Sequence, residues 1–204
     1  MADLAKRFGA MPCWRLRHQP APGTATETDL VRLLDRDHVA CELVAGILVE
    51  KTVGAEESRL AALLCTLLNT FVRPRKLGVV FAPDAPVRLR PGLVRIPDVC
   101  FIASNRLPGG KYPRTAILDI VPNLIIEVLS RSNTRQEMRQ KLREYFQAGV
   151  ELVWYVNPPT RTAEVFSSAN QSTVLLESQS LSGGDLLPGF KLKLRELFAD
   201  LDEQ

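Results

Sequence analysis

Leu60, Leu63, Leu64, Leu67, Leu68 and Phe71 recur at the three-and-four spacing of one helical face, and no Gly or Pro interrupts residues 56–73 before Pro74. That spacing predicts an amphipathic helix. Met138, Leu142, Tyr145 and Phe146 repeat the pattern in a segment opened by a Thr134/Glu137 capping box and closed by Gly149, predicting a second helix over 134–147. Between the two the period changes. Residues 79–81, 87–89 and 94–102 read as strands joined by short turns such as Pro91-Gly92, and are therefore expected to be antiparallel. The last of them is interrupted at Pro97-Asp98. Residues 124–129 are nearly all apolar and β-branched, as in a strand buried on both faces, and 152–156 is another of this kind, stopped by Pro158-Pro159. Strand, helix and strand across 124–156 imply a parallel pair with a right-handed crossover.

The flanks are simpler. Thr26 and Asp29 form a capping-box pattern for a short helix to about Asp35, and residues 42–44 and 47–49 flank Ala45-Gly46 as a hairpin. Residues 163–166 and 173–176 form a trailing antiparallel pair, and 194–201 a closing helix. Residues 1–23 read as a loose lead-in and 24–204 as one domain, with a long connection at 103–121. The expected fold class is α/β with a mixed central sheet: helix, three strands, helix, strand, between an N-terminal helix and hairpin and a C-terminal hairpin and short helix.

Composition narrows the chemistry. Apolar residues at 46% and charged residues at 24% suit a globular protein with a core, and no apolar run nears the roughly 20 residues that span a bilayer. Lys6, Arg7, Arg15 and Arg17 are followed by no apolar stretch of a signal peptide, so a cytoplasmic protein with no membrane partner is the expectation. Net charge is only +3, but Arg131, Arg135, Arg139, Lys141 and Arg143 crowd one stretch, and Arg73, Arg75 and Lys76 another. Each cluster reads equally well as a solvated helix face. The four cysteines form no C-x-x-C pair and lie away from His18 and His38, which argues against structural zinc and a disulfide framework. Any metal must then be held by carboxylates, which points to magnesium or manganese.

Glu127 is the most informative residue. It stands inside an apolar strand, where an unpartnered carboxylate is costly, so a protein cation, a metal or a proton must compensate. Asp98 follows Pro97 and precedes Val99-Cys100-Phe101-Ile102, another carboxylate set into an apolar strand. Two carboxylates on adjacent strands can hold a magnesium ion that polarises a phosphodiester and activates a water, and a nearby lysine can stabilise the added charge. Lys141 falls on the flank of the helix 134–147 stripe, from where its stem can lie along the core. Its ordinary alternative is a helix-flank lysine. Arg135 and Arg139 are competing cations and candidates for binding phosphate.

Arg95-Ile-Pro-Asp98-Val-Cys-Phe-Ile, Leu124-Ile-Ile-Glu127-Val-Leu-Ser130, Lys141-Leu-Arg-Glu-Tyr145-Phe-Gln-Ala-Gly149-Val and Trp154-Tyr-Val-Asn-Pro158 occur in that order. With Glu42-Leu-Val-Ala-Gly46 and Leu187-Pro-Gly-Phe190 outside them, they resemble the Uma-two family of restriction-endonuclease-like proteins, within the PD-(D/E)XK nuclease superfamily, over roughly residues 26–198. The resemblance implies a metal-dependent endonuclease acting on DNA, with Asp98 and Glu127 as metal ligands. The superfamily's usual lysine, two positions after the glutamate, is Leu129 here, and Lys141 matches a lysine that such family members carry on the following helix. An additional acid from the first core helix is implied. Glu56 and Glu57 are its nearest candidates, and also ordinary helix-dipole residues, with Glu42 and Glu50 behind them. Two-strand scission would suit a symmetric homodimer. A non-catalytic nucleic-acid-binding module, or a protein-interaction module, on the same fold is the alternative.

Overall fold

The computed structural model describes residues 11–52 and 54–202. Residues 1–10 of the expected lead-in lie outside that range, but residues 11–23 are not loose. Met11 is buried, Arg15 is buried against Glu137, and Arg17 N–H bonds the Leu48 carbonyl. An arginine buried by a distant carboxylate carries no periodic signature, so the docking was invisible in the chain.

Thr26 caps α1 (Glu27–Arg32) with the reciprocal Asp29 bond of a capping box. β1 (Cys41–Val44) and β2 (Ile47–Glu50) form the expected hairpin. Gly46 has φ +75°, and a Cβ there would collide with the Gly23 carbonyl, so glycine serves both the turn and the approach of the docked lead-in. α2 (Ala55–Val72) buries Leu60, Ala61, Leu64, Leu68 and Val72 on one stripe.

The remaining strands divide between two sheets. β3 (Gly78–Phe81), β6 (Val99–Ala103), β7 (Leu124–Val128), β8 (Leu152–Asn157), β9 (Thr162–Ser168) and β10 (Gln171–Leu175) form the central one, ordered β10-β9-β8-β7-β6-β3. It is mixed: β7 and β8 are parallel, the other pairs antiparallel. β4 (Val87–Arg90) and β5 (Leu93–Arg95) instead join the first hairpin as β2-β1-β5-β4. The run 94–102 is thus two strands in two sheets, not one interrupted strand. The chain leaves one sheet and enters the other at Ile96-Pro97-Asp98, where proline has no N–H to give a ladder. The connection 103–121 is tied down in part, through a bridge from Leu118 to Val87.

α3 (Arg135–Ala148) covers one face of the central sheet and α2 the other. The chain closes with a hairpin of β11 (Ser180–Gly183) and β12 (Leu187–Lys193), which the sequence reading did not anticipate, and then α4 (Leu194–Ala199). No helix among the described residues is long and apolar enough to cross a membrane.

Candidate active site

Strand alternation decides which side chains meet. In β7, Leu124, Ile126 and Val128 pack in the α2 layer and Ile125 in the α3 layer; in β6, Val99 and Phe101 face α2 while Cys100 and Ile102 face α3. Glu127 and Asp98 therefore both belong to the α3 face. Val99 pairs with Ile126, so one step outward Asp98 stands opposite Glu127. Residues so opposed have neighbouring side chains. The second sheet adds Glu42 from β1 and Arg95 from β5.

The result is a buried ionic network. Glu127 Oε1 accepts from Lys141 Nζ at 3.3 Å and from the Tyr145 hydroxyl. Lys141 Nζ also lies 2.9 Å from Glu42 Oε1. Arg95 bonds Glu42 Oε2 at 2.6 Å and Glu144 Oε2 at 2.6 Å. Asp98 Oδ2 accepts from the Val128 N–H at 2.6 Å, and Oδ1 lies 2.7 Å from Lys51 Nζ, which in turn donates to the Ile96 carbonyl at 2.6 Å. Beside the network, Arg15 forms a two-bond pair with Glu137.

Four carboxylates (Glu42, Asp98, Glu127, Glu144) thus share three cations (Lys51, Arg95, Lys141), leaving one excess negative charge. Its consequences are uneven. Burial pushes Glu127 up and the Asp98 charge adds to this, with Lys141 opposing. Burial also acts to raise Glu42, but Lys141 and Arg95 outweigh it and hold that carboxyl well below the usual range. Lys141 ends above the usual lysine value, because Glu127 and Glu42 overcome its desolvation. Burial lifts the Tyr145 hydroxyl far above its ordinary range, so it remains a donor to Glu127.

The predicted residues separate accordingly. Asp98, Glu127 and Lys141 come together, with Lys141 on the inward face of α3 and only 3% exposed, deeper than its helical-wheel flank position. Glu42 is the acid at the pair. Glu56 and Glu57 stand in the first turn of α2, where Glu57 folds back over the N-cap Gly54, and Glu50 pairs with Arg17. Arg135 and Arg139 are exposed on α3 and border a neighbouring groove. Lys51 and Arg95 were given no role in the sequence reading. Arg95, a charge inside Leu93-Val94-Arg95-Ile96, carried the same signal as Glu127; Lys51, at the end of a strand, carried none.

Two facing carboxylates suit a hard divalent cation, which takes one or two carboxylates from a protein and keeps water or phosphate elsewhere in its shell. Among the described residues no group of three or more His, Cys, Asp or Glu is arranged to hold a metal ion, so an ion at Asp98 and Glu127 would need such outside ligands. The donor chemistry fits on those terms, provided that Lys51 gives up Asp98 Oδ1.

The family model described as "Uma2: Putative restriction endonuclease" matches residues 28–195. The chain belongs to the Uma2 family. A search of solved structures finds a protein titled as a "putative nuclease belonging to DUF820" from Anabaena variabilis ATCC 29413, with 17% identity and a TM-score of 0.70, covering 79% of this chain and 91% of that one. At that identity the likeness speaks for the fold alone, a mixed α/β arrangement. No curated protein matches. The Uma2 match encloses Glu42, Lys51, Arg95, Asp98, Glu127 and Lys141, so the whole network lies inside the family's region.

Proposed function

We propose that this Uma2 protein is a magnesium- or manganese-dependent endonuclease hydrolysing phosphodiester bonds of DNA at Asp98 and Glu127. The observation that carries the reading is the opposition of these two buried carboxylates on neighbouring strands, on the one face that α3 supplies with a lysine. A divalent cation bound there would polarise the phosphodiester and lower the pKa of a bound water.

The chain's own groups do the rest. Asp98 and Glu127 present oxygen donors, with Asp98 oriented by the Val128 N–H and Glu127 by the Tyr145 hydroxyl. Lys141 offsets the carboxylate charge and stabilises charge that accumulates on phosphorus. Arg135 and Arg139 meet the nucleic-acid backbone. Cleavage of both strands of a duplex would use two copies related by a twofold axis.

Purified protein should cleave plasmid DNA only with magnesium or manganese. Asp98→Asn and Glu127→Gln should each lower cleavage by at least about a hundredfold while the far-ultraviolet dichroism stays unchanged; wild-type rates in either variant would overturn the assignment. One observation favours a second reading, a nucleic-acid-binding module without catalysis: every cation of the network is already paired, and Lys51 occupies Asp98. Salt-sensitive DNA binding with no metal uptake in calorimetry would select that reading.

A further inference from the structure

Beside the carboxylate pair, on the same face of the sheet, lies a groove of about 560 Å³ between the first turns of α3 and strands β8 and β9. Tyr155, part of its floor, is the register partner of Glu127, so the groove begins at the neighbouring strand position. Three arginines border it: Arg131 on the loop before α3, and Arg135 and Arg139 one helical turn apart, about 6 Å along the axis. All three are exposed, and among the described residues none has an ion-pair partner. On the inward face of α3, by contrast, Glu137, Lys141 and Glu144 are all paired, so the free positive charge beside the groove lies on its rim.

The floor differs from the rim. Tyr155 and Phe166 meet edge to face with centroids 5.0 Å apart, and the Tyr155 hydroxyl is fixed on the Met138 carbonyl. The floor is therefore aromatic, apolar and held in place. At its edge stand Asn157 and Glu164, a carboxamide and a carboxylate able to meet the donors and acceptors of a base.

We infer that this groove binds one unpaired nucleotide of a nucleic-acid strand next to the carboxylate pair, with the base on the Tyr155–Phe166 floor and its phosphates on Arg131, Arg135 and Arg139. The volume falls within the roughly 300–1,000 Å³ of small-molecule sites, and guanidinium planes serve both phosphate and base faces. A base held in a duplex stack cannot enter a space between helix and sheet, so the guest is single-stranded or flipped out. The inference rests on the nuclease reading above and names the form of substrate for that site.

The test is fluorescence anisotropy in EDTA, which separates binding from cleavage, with three labelled probes: octathymidylate, an octamer of abasic deoxyribose phosphates, and a short duplex. Octathymidylate should bind at least about tenfold more tightly than either of the others, as base stacking on aromatic platforms gives. Ala169→Trp, which fills the groove from the β9–β10 turn, should remove the preference over the abasic octamer, with an unchanged melting temperature as the check on folding. Arg135→Ala/Arg139→Ala should weaken both single-stranded probes equally and flatten the salt dependence by between one and two phosphate contacts. Equal affinity for thymidylate and abasic probes, tighter binding of the duplex, or a thymidylate preference that survives Ala169→Trp would each overturn the groove assignment. Metal-dependent cleavage together with base-independent binding would retain the nuclease and discard the groove. Base-dependent binding without metal-dependent cleavage would do the reverse.

Discussion

The ammonium of Lys51 lies 2.7 Å from Asp98 Oδ1, so each member of the facing pair holds its own lysine, Asp98 from the end of the first hairpin and Glu127 from α3. The two lysines differ in situation. Lys141 is shared by two carboxylates inside the core, whereas Lys51 holds one carboxylate and one carbonyl from the segment between β2 and α2. Lys51 is therefore the cation that a metal at the proposed Asp98 site would have to displace.

Lys51→Met should make manganese bind roughly tenfold more tightly, since a hydrogen bond to a charged group is worth about 1.5–3 kcal/mol and the ion need no longer break it. Without metal the same variant should be less stable by up to roughly 3 kcal/mol, because Asp98 keeps only its backbone donor. Titration calorimetry and melting with and without manganese read both effects. Weaker manganese binding in the variant would mean that Lys51 supports the ion instead of excluding it.

Glu127 and Glu42 give opposite pH dependences. Glu127 is raised above its ordinary 4.5, so it holds its proton more tightly folded than unfolded. The stability it contributes is complete below pH 4.5 and fades as pH rises through the folded value. Glu42 is depressed, so its contribution is present above pH 4.5 and lost as pH falls toward its folded value. Glu127→Gln should remove the decline above pH 4.5 and leave the acid-side loss in place. Melting curves from about pH 3 to about pH 8 test this; parallel wild-type and variant profiles above pH 4.5 would refute it.

Arg95 ties the four-stranded sheet to α3 by pairing with Glu42 on β1 and Glu144 on the helix, and burial of the guanidinium is outweighed by these two carboxylates, which hold it firmly charged. Arg95→Met leaves both acids without that partner and should cost roughly 3–5 kcal/mol, the usual penalty for breaking a buried pair. Urea unfolding measures it. A loss under about 1 kcal/mol would show that Lys141, on Glu42, and Gln140, whose Nε2 donates to Glu144 Oε1 at 2.9 Å, suffice to hold the acids.

The cysteines offer a simple check on packing. Cys41 and Cys100 are buried and their thiols are pushed up to about 12, Cys65 is half-buried and raised, and Cys13 is exposed. A thiol reagent at neutral pH should label Cys13 quickly, and Cys41 and Cys100 only at the rate of unfolding, since the thiolate is the reacting form. Rapid labelling of Cys100 by mass spectrometry would contradict the closed α3 layer.

The chain by itself determined the elements with strong periods. Leu60, Leu64 and Leu68 define α2, and the run at 124–128, apolar except for Glu127, defines β7, because local spacing sets which face is apolar. Glu127 was legible for the same reason: one charge in an apolar strand requires a partner. What the chain did not contain was the partner's identity. Only the tertiary structure assigned β5 and β6 to different sheets, buried Arg15 on Glu137, and brought Glu42, Lys51 and Arg95 to Asp98 and Glu127. Those ion pairs span 47 to 122 positions, and charge attraction across such separations leaves no trace in local pattern. It is decided by which strand lies beside which, and by which side of each strand the core leaves for α3.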